Sequence, residues 1–242
     1  MTTFVLVHGA FRGGWAWSRV RPLLIAAGHD VHAPSLVGAG EHIGQLSEVT
    51  GLQVWVDQVT RLIELEDLAE VVLVGHSQGG LVTSAVAARI PARIASVVHL
   101  DAAVPAPGER AIDLFPSTDV LPPRDGSVPS QPATTASGEY DEATVTWLND
   151  RLTPSPVGPA LDPVPAVPTG VRETFVFCAR TPHGYPSRAT RARVEAAGVV
   201  PVVIDAGHDA PISAPAAVAQ ALLKQAPQPL SMHNTSSSGA TP

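Results

Sequence analysis

The sequence predicts an α/β protein: a doubly wound, mostly parallel sheet with a proline-rich cap inserted between late strands. Three observations lead there. Short apolar runs, among them Phe4–Val7, Val71–Val74 and Ile94–Leu100, alternate with stretches of helical spacing, as expected of strands joined by crossover helices. Phe4–Val7 and Val71–Val74 are continuously apolar, as strands buried on both faces are. Hydrophobic residues make up 45% and charged residues only 15% of the 242 positions, which suits one domain with a large core. Aromatic content is 5%, so small aliphatic side chains must fill that core.

Residues 3–7 are too short an apolar run for a helix and stop at Gly9, so they read as a buried strand. Apolar positions at helical spacing over 17–27 end at Gly28, a helix stop. A second strand is expected around 30–33, then a glycine-rich loop from 36 to 44, then a helix over 52–68. Val71–Val74 is a central strand, 80–89 a helix of small residues, and 94–100 a strand with Asp101 at its carboxyl end. Two further strands are expected at 174–177 and 199–204, and a last helix at about 214–225. The core is thus expected to span 1–103 and 171–226. The segment 104–170 is crowded with proline, has one helical stretch near 141–152, and reads as an inserted cap or lid. The Ser, Thr, Gly and Pro composition of 227–242 is that of a disordered tail.

A net charge of −7 and the lack of a basic stripe argue against nucleic acid as partner. No apolar run reaches the ~18–20 residues of a membrane span. A strand at Phe4–Val7 with no basic segment before it is not a signal peptide, so a cytoplasmic location is expected. One cysteine, Cys178, excludes an intrachain disulfide and a Cys-rich metal site. A small-molecule substrate, without metal or cofactor, is the expected partner; the oligomeric state stays open, a homodimer included.

Gly75-His76-Ser77-Gln78-Gly79 matches G-x-S-x-G between a predicted strand and helix. In that context the bend is so sharp that the serine takes strained dihedrals, and side chains at 75 or 79 would collide with neighbouring backbone. The bend lifts the Ser77 hydroxyl above the sheet and leaves the Gln78 amide at a helix N-terminus, where an anion is favoured. The competing reading is a plain strand-to-helix turn with an N-capping serine. Ser77 is therefore the candidate nucleophile, and His76 beside it is read as structural. His8-Gly9-Ala10 ends the first strand, and the Ala10 amide with that of Gln78 would form an oxyanion hole, each donor worth about 3–4 kcal/mol to the transition state. His208, just after the last strand, is the candidate general base, with His183 as its rival. The loop after 174–177 holds no carboxylate, so Asp101 is the candidate acid, able to reach the imidazole from one strand over; Glu109 and Asp113 are outside candidates, and Asp209 is too close in sequence to His208. Phe11, Trp15 and Trp147 would line an apolar substrate pocket, or serve as ordinary core aromatics.

Phe4–Trp17, the Gly75–Gly80 elbow, Gly207-His208-Asp209, Arg151-Leu152-Thr153-Pro154 and Leu100-Asp101-Ala102 together resemble the bacterial branch of the hydroxynitrile lyase and plant methylesterase family of α/β-hydrolases. The resemblance covers most of 3–225 and weakens through the cap. It implies the α/β-hydrolase fold, Ser77 as nucleophile, His208 as base, and Ala10 and Gln78 as oxyanion donors. It would place the acid at about Thr181, which cannot act as one. The cyanogenic members use a threonine in the first loop and a lysine past the histidine; here those places hold Gly9 or Ala10 and Asp209 or Ala210, which favours the esterase over the lyase. The expected activity is cleavage of a small or medium lipophilic carboxylic ester through an acyl-enzyme. The alternatives are carbon–carbon hydrolase, lyase or cyclase chemistry with the same serine and histidine, or a non-catalytic ligand receptor on the scaffold.

Overall fold

The computed structural model describes residues 1–115 and 120–226; the 227–242 tail lies outside the described residues. In chain order the elements are β1 (Thr3–Val7), α1 (Arg21–Ala26), β2 (Asp30–His32), α2 (Leu52–Leu65), β3 (Val71–His76), α3 (Gly79–Arg89), β4 (Ile94–Leu100), β5 (Ser127–Val128), α4 (Glu142–Asn149), β6 (Ser155–Pro156), β7 (Arg172–Cys178), α5 (Pro186–Ala196), β8 (Val202–Ile204), α6 (Ala210–Ser213) and α7 (Pro215–Leu223). Six of the strands form one sheet in the order β2-β1-β3-β4-β7-β8, and every pairing in it is parallel.

Successive strand residues point to opposite faces, and here both faces are dry. Val5, Val7, Val71, Leu73 and Val97 pack on one side with Val56, Val59 and Ile63 of α2 and Leu81, Val82 and Val86 of α3. Phe4, Leu6, Val72, Val74, Val98 and Val176 pack on the other with Leu24 of α1 and Val218 and Leu222 of α7. That is why Phe4–Val7 and Val71–Val74, at the centre of the sheet, are continuously apolar.

Several elements differ from expectation for local reasons. The stretch 17–27 divides into a 3-10 turn at Gly14–Trp17 and α1, because Pro22 is pre-set for the first turn of a new helix. Part of the expected glycine-rich loop belongs to a 3-10 segment, Gly40–Glu48. The last helix, expected at about 214–225, is α7; the short α6 before it was not expected, and the two are kept apart at Ala214, which adopts φ −138° and ψ 51° before Pro215, since a residue preceding proline is kept out of the α region. Helix α5 was not expected. Its buried residues are Ser187, Thr190 and Val194, so its inward face carries two hydroxyls and no apolar periodicity.

The chain between β4 and β7 contains α4, the antiparallel β5–β6 pair and short 3-10 turns. Trp15 and Trp147 meet edge to face with centroids 5.2 Å apart, and with Ala16, Leu148 and Ile212 they seat α4 on the core. Among the described residues no helix is long and apolar enough to cross a membrane.

Candidate active site

The chain passes from β1 to β2 on one side and returns to β3 on the other. The carboxyl ends of β1 and β3 therefore flank a topological switch point, where open α/β sheets bind ligands. Ser77 follows β3 at this point, with φ 53°, a left-handed conformation that costs a non-glycine residue energy. Its amide donates to the Leu100 carbonyl at 3.2 Å and its carbonyl accepts from the Ala103 amide at 3.0 Å, so the end of β4 holds the bend. A Cβ at position 75 would lie 2.6 Å from the Gly79 carbonyl oxygen, and one at 79 would lie 2.6 Å from the Val7 carbonyl oxygen. Both obstacles are backbone and cannot swing aside. Gly75→Ala is therefore expected to destabilise the protein by about 1–3 kcal/mol, the usual range for overpacking, read as a fall in thermal midpoint; an unchanged midpoint would contradict this account of the bend.

The other two side chains come from the ends of β4 and β8. Asp101, also left-handed at φ 42°, is fixed by its amide donating 2.7 Å to the Val176 carbonyl. His208 Nδ1 lies 2.6 Å from Asp101 Oδ2 and His208 Nε2 lies 2.9 Å from Ser77 Oγ. Residues 107 and 131 positions apart thus form one hydrogen-bonded chain. Burial works against the Asp101 charge, but the hydrogen bond and charge of His208, the Thr181 hydroxyl and the Cys178 amide together hold its carboxyl below the usual carboxylate value. An ionised Asp101 fixes the tautomer of His208, with the proton on Nδ1 and a free lone pair on Nε2 facing Ser77.

His76 supports this chain from below. Burial, then the nearby His208, lowers its pKa to about 4, so the ring is neutral at ordinary pH and Nε2–H donates to the His208 carbonyl at 2.8 Å. The Tyr185 ring packs on His208 with centroids 4.4 Å apart. The rival histidine, His183, is exposed. Glu109 and Asp113 are engaged elsewhere, with Arg193 and Arg110 respectively.

A Cβ at Gly9 would lie 2.8 Å from Ser77 Cβ, so the loop after β1, which carries Ala10, runs directly against the serine. His8 anchors that loop. Burial lowers its pKa to about 4, and the neutral ring bonds the Gly9 carbonyl through Nδ1 at 2.8 Å while Nε2 accepts the Leu36 amide at 3.0 Å. Gln78 caps α3, whose first-turn amides have no partner within the helix; its side chain is tied to Ser155 at 3.1 Å. Ala10, Phe11 and Gln78 line a small pocket of about 10 Å³ with Leu36, Trp55 and Pro154. Of the three aromatic pocket candidates Phe11 lines it, whereas Trp15 and Trp147 belong to the packing cluster that seats α4.

Charged groups that the sequence reading did not pair lie beside His208. The carboxylate of Asp209 is bonded by the Arg12 guanidinium and by the Tyr140 hydroxyl, the latter at 2.6 Å. Burial opposes ionisation of Asp209, but Arg12 and the neighbouring histidines hold its carboxyl far below the usual value. Glu139, adjacent to Tyr140, accepts from Ser213 at 2.9 Å, and burial raises its pKa. The segment before α4 is thereby fastened to the loop that carries His208. Residues 12 and 209 are 197 positions apart, and nothing in their local sequence marks them as partners.

Comparison with known proteins adds family information to this geometry. The family model described as "Alpha/beta hydrolase family" matches residues 4–221. A "Carbendazim hydrolyzing esterase" from Nocardioides sp. (strain SG-4G) is 43% identical over 123 residues, 51% of this chain and 50% of that protein. "Salicylic acid-binding protein 2" of Nicotiana tabacum is 40% identical over 103 residues, 42% of this chain and 40% of that protein. The chain spans about half or less of the length of the curated relatives it matches. Among solved structures, a methylesterase protein from Arabidopsis is 27% identical with a TM-score of 0.76, covering 93% of this chain and 98% of that one. Polyneuridine aldehyde esterase, at 22% identity and TM-score 0.75 over 93% of this chain and 99% of that one, has the same fold.

Proposed function

Because the chain belongs to the alpha/beta hydrolase family, we propose that it is a serine esterase in which Ser77 is the nucleophile, His208 the general base and Asp101 the acid that orients it. The observation that carries the proposal is the unbroken chain from Ser77 Oγ through His208 to Asp101, a nucleophile within reach of a base that a third group orients. The esterases among its relatives support ester hydrolysis as the reaction.

In this reading Ser77 Oγ attacks the ester carbonyl as its proton passes to His208 Nε2. The oxyanion rests on the Ala10 and Gln78 amides. The proton then moves from His208 to the departing alkoxide, leaving an acyl-Ser77. Water attacks in the second half, again giving its proton to His208, and the carboxylic acid leaves as Ser77 is restored. Asp101 stays ionised throughout and stabilises the imidazolium. In the same reading the segment 104–170 is the cap, and Phe11, beside Gln78, contacts part of a small or medium lipophilic substrate.

The test combines a fluorophosphonate probe with a panel of nitrophenyl esters. Stoichiometric labelling at Ser77, together with turnover of the esters, is expected. Labelling without turnover would move the protein to carbon–carbon or lyase chemistry, and absence of both would remove the nucleophile assignment.

A further inference from the structure

The loop after β7 holds no carboxylate between Ala179 and Arg188, yet it touches the acid. Thr181 is buried at 1% exposure. Its hydroxyl lies 2.6 Å from Asp101 Oδ2, the same oxygen that accepts the hydrogen bond from His208 Nδ1. A carboxylate only accepts, so the hydroxyl donates. The other oxygen, Oδ1, accepts from the Cys178 amide at 3.2 Å. Thr181 is itself held, because the Arg188 guanidinium of α5 reaches its carbonyl through both Nε, at 2.9 Å, and Nη2.

We propose that Thr181 is a positioning residue for the acid–base pair. The terminal torsion of an aspartate is broad and soft, so the side chain does not choose its own carboxylate plane. Two donors on different oxygens, the Cys178 amide and the Thr181 hydroxyl, do choose it, and the choice keeps Oδ2 in line with His208 Nδ1. The arrangement has a cost in basicity, since Thr181 shares the oxygen that attracts the imidazolium. Orientation is the larger effect. Losing the correct acid–imidazole relationship lowers turnover by as much as about 10⁴-fold, whereas a single hydrogen bond to a charged group corresponds to about 10- to 100-fold. The rest of the loop acts in the same sense, with the Tyr185 ring against His208, centroids 4.4 Å apart and planes tilted by 58°.

This inference rests on the esterase reading for its kinetic arm only. Thr181→Val keeps the shape and removes the hydroxyl; Thr181→Ser keeps the hydroxyl and removes the methyl. With the full chain and p-nitrophenyl acetate, Thr181→Val is expected to lower kcat by about 10- to 100-fold with KM within about twofold, and Thr181→Ser to stay within about threefold of the parent. The far-downfield proton resonance of His208 Nδ1 should broaden or vanish in the valine variant and persist in the serine variant. The proposal is overturned if Thr181→Val keeps both kcat and that resonance, or if Thr181→Ser falls as far as Thr181→Val, because packing would then be the role. Should the valine variant not fold, Thr181→Ala read against Thr181→Ser isolates the same hydroxyl. A parent without ester turnover would count against the esterase reading alone, and the resonance would still decide for or against Thr181.

Discussion

Asp101→Asn is expected to lower kcat on a nitrophenyl ester by about 10³- to 10⁴-fold, with little change in KM. Asn offers Oδ1 or an NH2 group to His208 Nδ1. If the NH2 group faces the ring, the imidazole flips its tautomer and places a proton on Nε2, where it can no longer accept from Ser77. If the oxygen faces it, the charge that stabilises the imidazolium is still missing. The side chain is almost fully buried, and the Thr181 hydroxyl and Cys178 amide that point at it still find an acceptor only in part. Steady-state kinetics and a melting curve separate the outcomes: a fall in kcat with a midpoint near the parent's supports the assignment. Turnover within tenfold of the parent would show that another group orients His208.

The second large effect concerns stability. Removing the carboxylate in Asp209→Ala leaves the Arg12 guanidinium, only 15% exposed, without its counter-ion. Breaking a buried pair by deleting one member costs about 3–5 kcal/mol, which for a chain of this size is a fall of about 10 °C in thermal midpoint. A double variant, Arg12→Met with Asp209→Leu, should recover most of the loss, because replacing a buried pair with apolar groups is often close to neutral. The pH dependence has a definite sign. The Asp209 carboxyl titrates far below its ordinary value in the folded protein, so the unfolded chain binds its proton first as pH falls. Its contribution is complete above the unfolded pKa near ~4 and declines below it. Asp101 acts in the same direction. The gap in midpoint between parent and Asp209→Ala should therefore be widest above pH ~5 and narrow towards pH ~3; a gap that grows on acidification would reject this role.

Much of the fold is legible in the sequence because the signals are local. A dry run such as Val71–Val74 fits a strand covered on both faces, and the glycines at 75 and 79 report the backbone contacts that surround Ser77. His208 is legible from its place after the last strand. Asp101 is legible by its place at a strand end, and the structure brings it to His208. What escapes lacks a local signature. Helix α5 turns Ser187 and Thr190 inward, so hydropathy gives no period. Helix α6 spans only Ala210–Ser213, about one turn, which is too short to show a period. The Arg12, Tyr140 and Asp209 cluster joins three distant segments, and charge pairs carry no periodicity. Trp15 and Trp147 show the converse. Both are large aromatics near a site, but composition does not tell a pocket wall from the packing between α4 and the core.

The parallel wiring of the sheet has a kinetic corollary. Ser77, Asp101 and His208 leave from three different strands, the last of which sits at the margin of the sheet and joins only through β7. Contacts this distant along the chain are slow to close. On the proposed esterase reading no partial assembly that lacks β8 can place the imidazole, so during renaturation the return of turnover is expected to time the docking of the final strand, later than any spectroscopic sign of helix.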